Sequence, residues 1–146
     1  MQDEKNQFVL TLLEEELDWL TDTIAGIPYS ALLLEGPQTI FIAGRSQVFG
    51  YSNDEILADK WLWINMIHPA DRERVFAVLS YCKNSGTPFE IEHRVIDKDG
   101  SLHWVIDEGE PVLEGDSQVT VIEGIITDVT EFRRAKYLLL EEKHFG

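Results

Sequence analysis

Four histidines and one cysteine are the residues whose chemistry could hold a metal or a prosthetic group. His68 precedes a proline, and His144 lies near the end of the chain. His93 and His103 fall on predicted neighbouring strands, but neither has a cysteine, aspartate or further histidine at the spacing of a metal site. A single Cys82 cannot form an internal disulfide or, alone, a cysteine-based zinc or iron–sulfur site. The sequence therefore predicts no metal site.

Carboxylates are the other abundant reactive groups, with 27 Asp and Glu against 12 Lys and Arg and a net charge of −15. Paired carboxylates could make a carboxylate-dependent hydrolase, which requires a deep cleft with two facing carboxylates, one with its pKa raised by burial. With so many acidic residues, chance pairs on solvated faces are expected. The chain has no Gly-rich loop with Lys, no Gly-x-Ser-x-Gly and no His-Glu-x-x-His. Its charge also disfavours nucleic acid and anionic lipid as partners.

A chain of 146 residues is the size of one domain, and 44% hydrophobic with 27% charged residues is typical of a globular protein. No signal peptide is visible at its start, and its apolar runs fall far short of the roughly 20 residues of a membrane span. We therefore expect a cytoplasmic, reduced domain that makes no membrane contact through this segment.

Apolar residues three or four apart predict amphipathic helices at both ends of the chain. Within residues 1–27 the apolar stripe consists of Val9, Leu13, Leu17, Leu20 and Ile24. Over residues 131–146, Phe132, Ala135 and Leu139 share one face. An isolated helix of this length is marginal in water, so each needs a partner. We expect one or both to form a homodimer interface, with packing on the domain's own sheet as the alternative.

The middle of the chain predicts strands and short helices. The elements, in order, are strands at 31–35 and 39–43, a helix with a Ser52–Glu55 capping box, a helix begun by Pro69 and ended at 84–86, and strands from 88, 102 and 119 around turns at 97–100 and 114–117. Strands in runs with helices grouped between them favour an α+β fold with an antiparallel sheet.

Short motifs spread over residues 29–134 form an ordered set. They are Gly50-Tyr51-Ser52 with Glu55, Trp63, Ile67-His68-Pro69 with Asp71-Arg72, Glu92-His93-Arg94-Val95, Asp99-Gly100-Ser101 with Trp104-Val105, Gly124-Ile125, and Asp128-Val129-Thr130-Glu131. In this order they resemble the PAS family of sensory domains, in the subclass with a tryptophan after the central hairpin. The resemblance implies a PAS-like five-stranded antiparallel sheet with short helices on one face, flanked here by the two amphipathic helices.

The resemblance also implies a small ligand cavity, and its aromatic candidates fit plain core packing as well. They are Trp61, Trp63, Phe76, Phe89, His93 and Trp104. Haem is disfavoured because relatives take their axial histidine from the long helix, and residues 70–83 contain none. Flavin is disfavoured because Cys82 lacks the Asn-Cys-Arg motif of the light-sensing subclass. Residues 42–45, Ile-Ala-Gly-Arg, also lack the Asn or Ser that many relatives carry just after the second strand and to which a ligand contact is often attributed. The sequence thus names no cofactor.

Asp128, Thr130 and Glu131 are the predicted signal-transfer residues. If Asp128 is the N-cap of the last helix, Glu131 is its third residue and the two form a capping box. The resemblance implies that this cap joins the last strand to the exit helix, so that a displaced sheet would re-aim the helix. A helix cap without any signalling role is the alternative.

These observations predict residues 28–130 to be a non-catalytic sensor domain and residues 131–146 to lead into an output domain of a larger signalling protein. That protein is expected to be a sensor histidine kinase of a two-component system, responding to a small ligand, a redox change or a partner. The alternative is a PAS-like scaffold that only dimerises. A void with polar contacts would favour the sensor, and an apolar cavity filled by its own side chains would favour the scaffold.

Overall fold

The computed structural model describes residues 26–33, 37–42, 46–112 and 120–145. Its elements are β1 (Ile27–Leu33), β2 (Pro37–Ile42), a 3₁₀ helix (Ser46–Phe49), α1 (Asn53–Ala58), α2 (Leu62–Met66), a 3₁₀ turn (Pro69–Asp71), α3 (Arg72–Ser85), β3 (Phe89–Ile96), β4 (Leu102–Val112), β5 (Thr120–Asp128) and α4 (Thr130–Phe145). The predicted N-terminal helix and the turn at 114–117 lie outside the described residues. Within the described ranges, no helix is long and apolar enough to span a membrane.

The strands form one five-stranded sheet in the order β2-β1-β5-β4-β3, with every neighbouring pair antiparallel. The predicted α+β class and its sheet are therefore confirmed. The hairpin predicted at 97–100 joins β3 to β4: Asp97 N–H donates to Ser101 O at 2.9 Å. Gly100 takes a φ of +90° in this turn, a conformation that only glycine adopts without steric cost. The last strand, β5, lies at the centre of the sheet.

The first two strands begin earlier than the pattern predicts. The sequence places strands at 31–35 and 39–43 and treats Gly26 and Pro28 as helix terminators, whereas β1 starts at Ile27 and contains Pro28. In the described part of the chain, β2 pairs with β1 only from Tyr29 onward, so Pro28 lies where its missing N–H leaves no gap in that ladder.

Local capping explains how α1 and the 3₁₀ turn before α3 begin. The predicted capping box of α1 is present: Ser52 Oγ accepts from Glu55 N–H, and Glu55 Oε1 accepts from Ser52 N–H, both at 3.1 Å. Pro69 is the first residue of the 3₁₀ turn, and the ring nitrogen Nδ1 of His68 accepts from Ala70 N–H at 3.1 Å. His68 is therefore the helix-entry residue that the sequence predicts.

The core lies between these helices and the inner face of the sheet. Helix α3 buries Val75, Leu79 and Cys82, whereas Phe76, predicted on the same stripe, is only partly buried. Buried residues from the other elements include Ile27, Ala31, Phe49, Trp63, Ile67, Ile91, Val95, Val105, Ile122 and Ile126. Strands β1, β3, β4 and β5 contribute alternate residues to this face, and Ile42 of β2 packs against it, as a half-covered antiparallel sheet requires.

Strand β4 turns its conspicuous apolar residues away from this core. Its inner positions include Val105 and Asp107, which are 0% and 3% exposed and lie opposite His93 and Ile91 of β3. Trp104, one position away from Val105, therefore belongs to the outer face. The side chains of β4 alternate between two faces as predicted, but the face that packs against the core is the one that carries Asp107.

Paired glycines leave space on the inner face. Gly109 of β4 and Gly124 of β5 lie opposite each other. A Cβ at position 124 would lie 2.7 Å from Tyr29 Oη, and a Cβ at position 109 would lie 2.7 Å from the Phe89 ring. The aromatic rings thus occupy the volume that side chains would otherwise fill, and this allows the Tyr29 hydroxyl to reach Asp107.

Candidate functional site

A small enclosed cavity lies between the sheet and the helices. Its volume is about 20 Å³. Its lining includes Tyr29, Ala31, Trp63, Asp107, Ile122 and Ile126. A water molecule needs a cavity of at least ~10–15 Å³ and several polar partners, so this space fits about one water. The cavity therefore has polar contacts, as the sensor hypothesis requires, but no room for a larger molecule in this conformation.

The structure brings only part of the predicted aromatic pocket together. Of the predicted residues, Trp63 lines the cavity, and His93 packs edge-on against it with ring centroids 6.1 Å apart. Phe89 lines an open groove near the paired glycines. Trp104 lies on the outer face, and Trp61 and Phe76 are partly exposed. These residues do not line the cavity, because aromatic content does not reveal which face of a strand or helix the core covers.

The polar group of the cavity is Asp107. Its Oδ1 accepts a hydrogen bond from the Tyr29 hydroxyl at 2.6 Å. Burial raises the pKa of Asp107 to about 7, although the bond from Tyr29 acts in the opposite direction. Burial, together with the nearby Asp107 charge, raises the pKa of Tyr29 well above its usual value. Sequence reasoning missed this pair, although an aspartate alternating with Val105 along a strand was the available signal.

The geometry at Asp107 bears on the hydrolase hypothesis. That hypothesis requires two facing carboxylates in a deep cleft, whereas Asp107 faces the phenol of Tyr29 across a closed cavity of about 20 Å³. A raised pKa at a buried carboxyl also follows from desolvation alone. The arrangement fits a buried polar contact in a sensor core better than it fits a hydrolytic centre.

His93 is fully buried, with 0% of its surface exposed. Its Nδ1 lies 3.3 Å from Arg94 O, and its Nε2 has no hydrogen-bond partner among the described residues. Burial lowers the pKa of His93, although the Arg94 carbonyl and the charge of Asp71 act in the opposite direction. The ring is therefore neutral at pH 7. Within the described ranges, no three His, Cys, Asp or Glu side chains cluster as metal ligands would.

The predicted signal-transfer residues lie where β5 passes into α4. Asp128 Oδ1 accepts from the Thr130 backbone N–H at 2.9 Å and from the Thr130 hydroxyl at 2.6 Å. Thr130 Oγ1 in turn accepts from Trp104 N–H at 2.9 Å, and Trp104 O accepts from Val129 N–H at 2.8 Å. The start of α4 is thus bonded to both β4 and β5.

His103 extends these contacts to the β3–β4 turn. Its Nδ1 lies 2.8 Å from Asp128 Oδ2, and its Nε2 lies 2.8 Å from Asp97 Oδ2. Asp97 Oδ1 accepts from the backbone N–H groups of Asp99 and Ser101 at 3.0 and 2.8 Å. We call Asp97, His103, Asp128 and Thr130 the cap network. From the sequence, His103 was predicted only to lie on a strand, because its carboxylate partners, Asp97 and Asp128, come from separate parts of the chain.

Glu131 does not occupy the position that the predicted capping box requires. Val129 O accepts the first helical bond, from Arg133 N–H at 2.9 Å, so Val129 is the N-cap and Glu131 is the second helical residue. The carboxylate of Glu131 lies 3.4 Å from Arg134 on the exposed side of the helix. Asp128 lies one residue before the N-cap and accepts a bond from the Thr130 N–H, so both parts of the predicted capping box were wrong by one residue in helix register.

On the outer face, Trp104 joins the sheet to α4. The guanidinium of Arg133 lies 3.7 Å from the centre of the Trp104 ring, a cation–π distance, and pairs with the carboxylate of Glu92 on β3. Arg94 approaches the same ring at 5.5 Å. The first turn of α4 is therefore in contact with β3, β4 and β5.

The remainder of α4 presents apolar side chains to solvent. Phe132 is 51% exposed and Leu139 is 60% exposed, and both were predicted to lie in a helix interface. Tyr137, Leu138 and Leu140 are also more than half exposed. A run of this kind along one helix is typical of an interaction surface.

A buried ion pair connects α3 to β3. Arg94 donates three hydrogen bonds to the Asp71 carboxylate, from its backbone N–H at 2.8 Å and from its guanidinium at 3.0 and 2.7 Å. Asp71 is 5% exposed, and these hydrogen bonds lower its pKa to about 2 despite burial. The pair holds the edge of the sheet against the helices.

Comparison with known proteins identifies the class of this domain. The family described as "PAS fold" matches residues 41–126, which is more than half of the chain. The chain therefore belongs to the PAS family.

Solved structures agree with this fold. One is a sensory box histidine kinase/response regulator from Burkholderia thailandensis E264, with a TM-score of 0.61 and 19% identity over 88% of this chain and 95% of that one. Another is the N-terminal domain of a diguanylate cyclase with PAS/PAC sensor from Marinobacter aquaeolei, with a TM-score of 0.62 and 19% identity over 74% of this chain and 98% of that one.

Among curated proteins, the chain is similar to a methyl sulfide methyltransferase-associated sensor from Methanosarcina acetivorans. The two are 27% identical over 104 residues, which is 70% of this chain and 10% of that protein. The chain spans about a tenth or less of the length of the curated relatives it matches. The domain has the PAS fold, which the solved structures show in a histidine kinase/response regulator and in a diguanylate cyclase.

Proposed function

We propose that this domain is a non-catalytic sensory module of a larger cytoplasmic signalling protein, and that α4 carries its signal to an output domain. The single observation that carries this proposal is the bonding of the α4 start to two strands, through Asp128, Thr130 and Trp104. A helix fixed to the sheet at one end, with its side chains exposed over residues 131–140, changes direction when the sheet shifts. Signalling then requires an equilibrium between two orientations of α4 relative to the sheet. A signal can shift this equilibrium only to the extent that it binds one of the two arrangements with higher affinity than the other.

The output domain is proposed to be a histidine kinase. Support comes from the histidine kinase/response regulator among the structural neighbours, whereas the diguanylate cyclase neighbour supports the alternative output. Because these neighbours share less than a quarter of their residues with this chain, they support a shared architecture and the kinase assignment is a proposal.

The exposed apolar side of α4 is proposed to form a homodimer contact. Phe132, Leu138 and Leu139 are each at least half exposed, and burying one large apolar side chain typically contributes about 1.5–3 kcal/mol. Parallel packing of two such helices would align the output domains. The predicted contribution of Val9, Leu13, Leu17 and Leu20 stays a prediction, since those residues lie outside the described ranges.

The decisive test is Asp128→Asn in the full-length protein. The amide keeps the size of the side chain but replaces one acceptor oxygen by a donor and removes the charge, so the bonds from Thr130 and His103 cannot all be retained. We expect the output activity to lose most of its response to signal, while the domain loses only about 1 kcal/mol of stability. Output activity with and without signal, together with urea unfolding, measures both.

A matched control is Asp99→Asn, an exposed aspartate in the β3–β4 turn, which should leave the response intact. If Asp128→Asn responds like the parent protein, α4 is not the route of the signal and the proposal is wrong.

A scaffold that binds no small ligand is the second candidate, and the size of the cavity favours it. A space of about 20 Å³ does not hold a metabolite or a cofactor unless the core rearranges. Native mass spectrometry of the purified chain separates the two candidates. Under the sensor proposal we expect a dimer with a bound small molecule or with a mass shift on adding one. A dimer that never gains mass, across a metabolite library, would favour the scaffold.

A further inference from the structure

His103 stands between two carboxylates that belong to different parts of the fold. Asp128 ends β5 beside the start of α4, and Asp97 begins the turn between β3 and β4. Both distances from the ring nitrogens to carboxylate oxygens are 2.8 Å. The His103 side chain is only 17% exposed, so water does not easily replace either contact.

The number of N–H donors on the imidazole ring decides which protonation state of His103 can form both contacts. An ionised carboxylate only accepts hydrogen bonds, and a neutral imidazole has one N–H donor and one acceptor nitrogen. A neutral His103 could therefore satisfy either Asp97 or Asp128, and its other nitrogen would direct a lone pair at an oxygen 2.8 Å away. Only the imidazolium donates to both. The observed arrangement thus belongs to the protonated ring.

We propose that His103 is a proton-dependent clamp that holds the β3–β4 turn to the start of α4, and that loss of its proton releases one side of the cap network. When the ring is neutral, either Asp97 or Asp128 loses its donor. Release of Asp128 would loosen the side chain that holds Thr130 N–H and the Thr130 hydroxyl, and so the first turn of α4. His103 is a positioning residue in this scheme, acting through Asp128.

The charged groups near the ring are consistent with this assignment. Asp97 and Asp128 are the carboxylates that face it. Lys98, next to Asp97 in the chain, directs its ammonium to Glu55 of α1 at 3.2 Å. The 3₁₀ helix contributes the uncharged Phe49 ring, edge-on at a centroid distance of 5.4 Å.

Among the described residues, the other elements around the ring place no further charged group in contact with it. Val95, the β3 residue opposite His103, is apolar, and the guanidinium of Arg133 on α4 lies over Trp104 on the outer face. Burial by itself would lower the pKa of His103, but the hydrogen bonds and charges of Asp97 and Asp128 outweigh it and raise the pKa above 6.5. A histidine with a raised pKa stabilises the fold below its unfolded value and loses that contribution as pH rises through its folded pKa.

The test measures the α4 start directly in the 146-residue chain, in an Asp107→Asn background, because Asp107 titrates in the same pH range. Amide hydrogen exchange at Val129 and Thr130, divided by the intrinsic exchange rate, is followed from pH 6 to 9. We expect protection to fall by up to about tenfold per pH unit between the ordinary histidine pKa of about 6.5 and the raised pKa of His103, and to level off above it. His103→Gln should be poorly protected at every pH, and His103→Arg, a permanent cation, should restore protection at high pH.

The imidazole resonances of His103 provide a measurement that needs no substitution at that residue. A titration midpoint above 6.5, with the loss of α4 protection complete near that midpoint, is the expected result. The proposal is overturned if His103 titrates at or below 6.5, or if protection at Val129 and Thr130 follows the same pH profile in His103→Gln. The inference relies on the proposed function only in naming α4 as the output route. A pH-independent α4 start with a responsive full-length protein would refute the clamp alone.

Discussion

Asp107→Asn is expected to stabilise the domain by up to about 4 kcal/mol at pH 8 and to have little effect near pH 4. The pKa of Asp107 is raised from 3.8 to about 7 in the folded protein. Between these values the unfolded chain releases a proton that the folded chain retains, so stability falls as pH rises, by up to about 1.4 kcal/mol per pH unit. Asparagine cannot ionise, and its carbonyl oxygen can still accept the hydrogen bond from Tyr29.

Urea unfolding at pH 4, 6 and 8 measures this effect, as the difference in unfolding free energy between variant and parent. Glu110→Gln is the matched control, because it removes an exposed carboxylate from the same strand and should change stability by less than about 0.5 kcal/mol. A difference that is the same at pH 4 and pH 8 would show that Asp107 does not titrate in the folded core.

Arg94→Ala is expected to lower the unfolding free energy by about 3 kcal/mol at pH 7. The substitution leaves the carboxylate of Asp71, 5% exposed, without the side chain that donates two of its hydrogen bonds. Breaking a buried ion pair on one side typically costs ~3–5 kcal/mol, and the low end applies because the Arg94 side chain is 29% exposed.

The matched control for Arg94→Ala is Arg74→Ala. Arg74 is 3.8 Å from the same carboxylate, but its side chain is 50% exposed, so a loss below about 1 kcal/mol is expected.

The effect of Arg94→Ala should also depend on pH, with a sign that follows from the lowered pKa of Asp71. Its stabilising contribution is present above pH 3.8 and is lost as pH falls toward about 2, so the gap between Arg94→Ala and the parent should narrow over that range. Equal losses for the two arginines would contradict the assignment of Arg94 as the main partner.

Much of the architecture is encoded by signals a few residues apart. The Ser52–Glu55 capping box, the Pro69 helix start, the turn at 97–100 and the alternation of β3 each depend on near neighbours, and each is present in the structure. The predicted ends of helices and strands differ from the observed ones where local signals conflict. Pro28, interpreted as a helix terminator, is a strand residue because its neighbours pair with β5.

The site was predicted less completely because it is made of contacts between distant residues. Asp128 and Thr130 were identified by a motif, and their bond to each other is local. The partners that give them a role, Trp104 and His103, lie about 25 positions earlier in the chain, and no periodicity indicates such a meeting. Tyr29 and Asp107 are separated by 78 positions. Residue types alone do not indicate that these two side chains form a hydrogen bond.

The sequence by itself therefore determined the five strands, the two longer helices between β2 and β3, the order of these elements, the family resemblance and the position where β5 passes into α4. The tertiary structure decided which face of β4 is the core side, and with it that Asp107 is buried while Trp104 meets α4. The physical reason is that alternation defines two faces of a strand without stating which one the helices cover. That choice is made by the total apolar area buried when the whole sheet and its helices pack together.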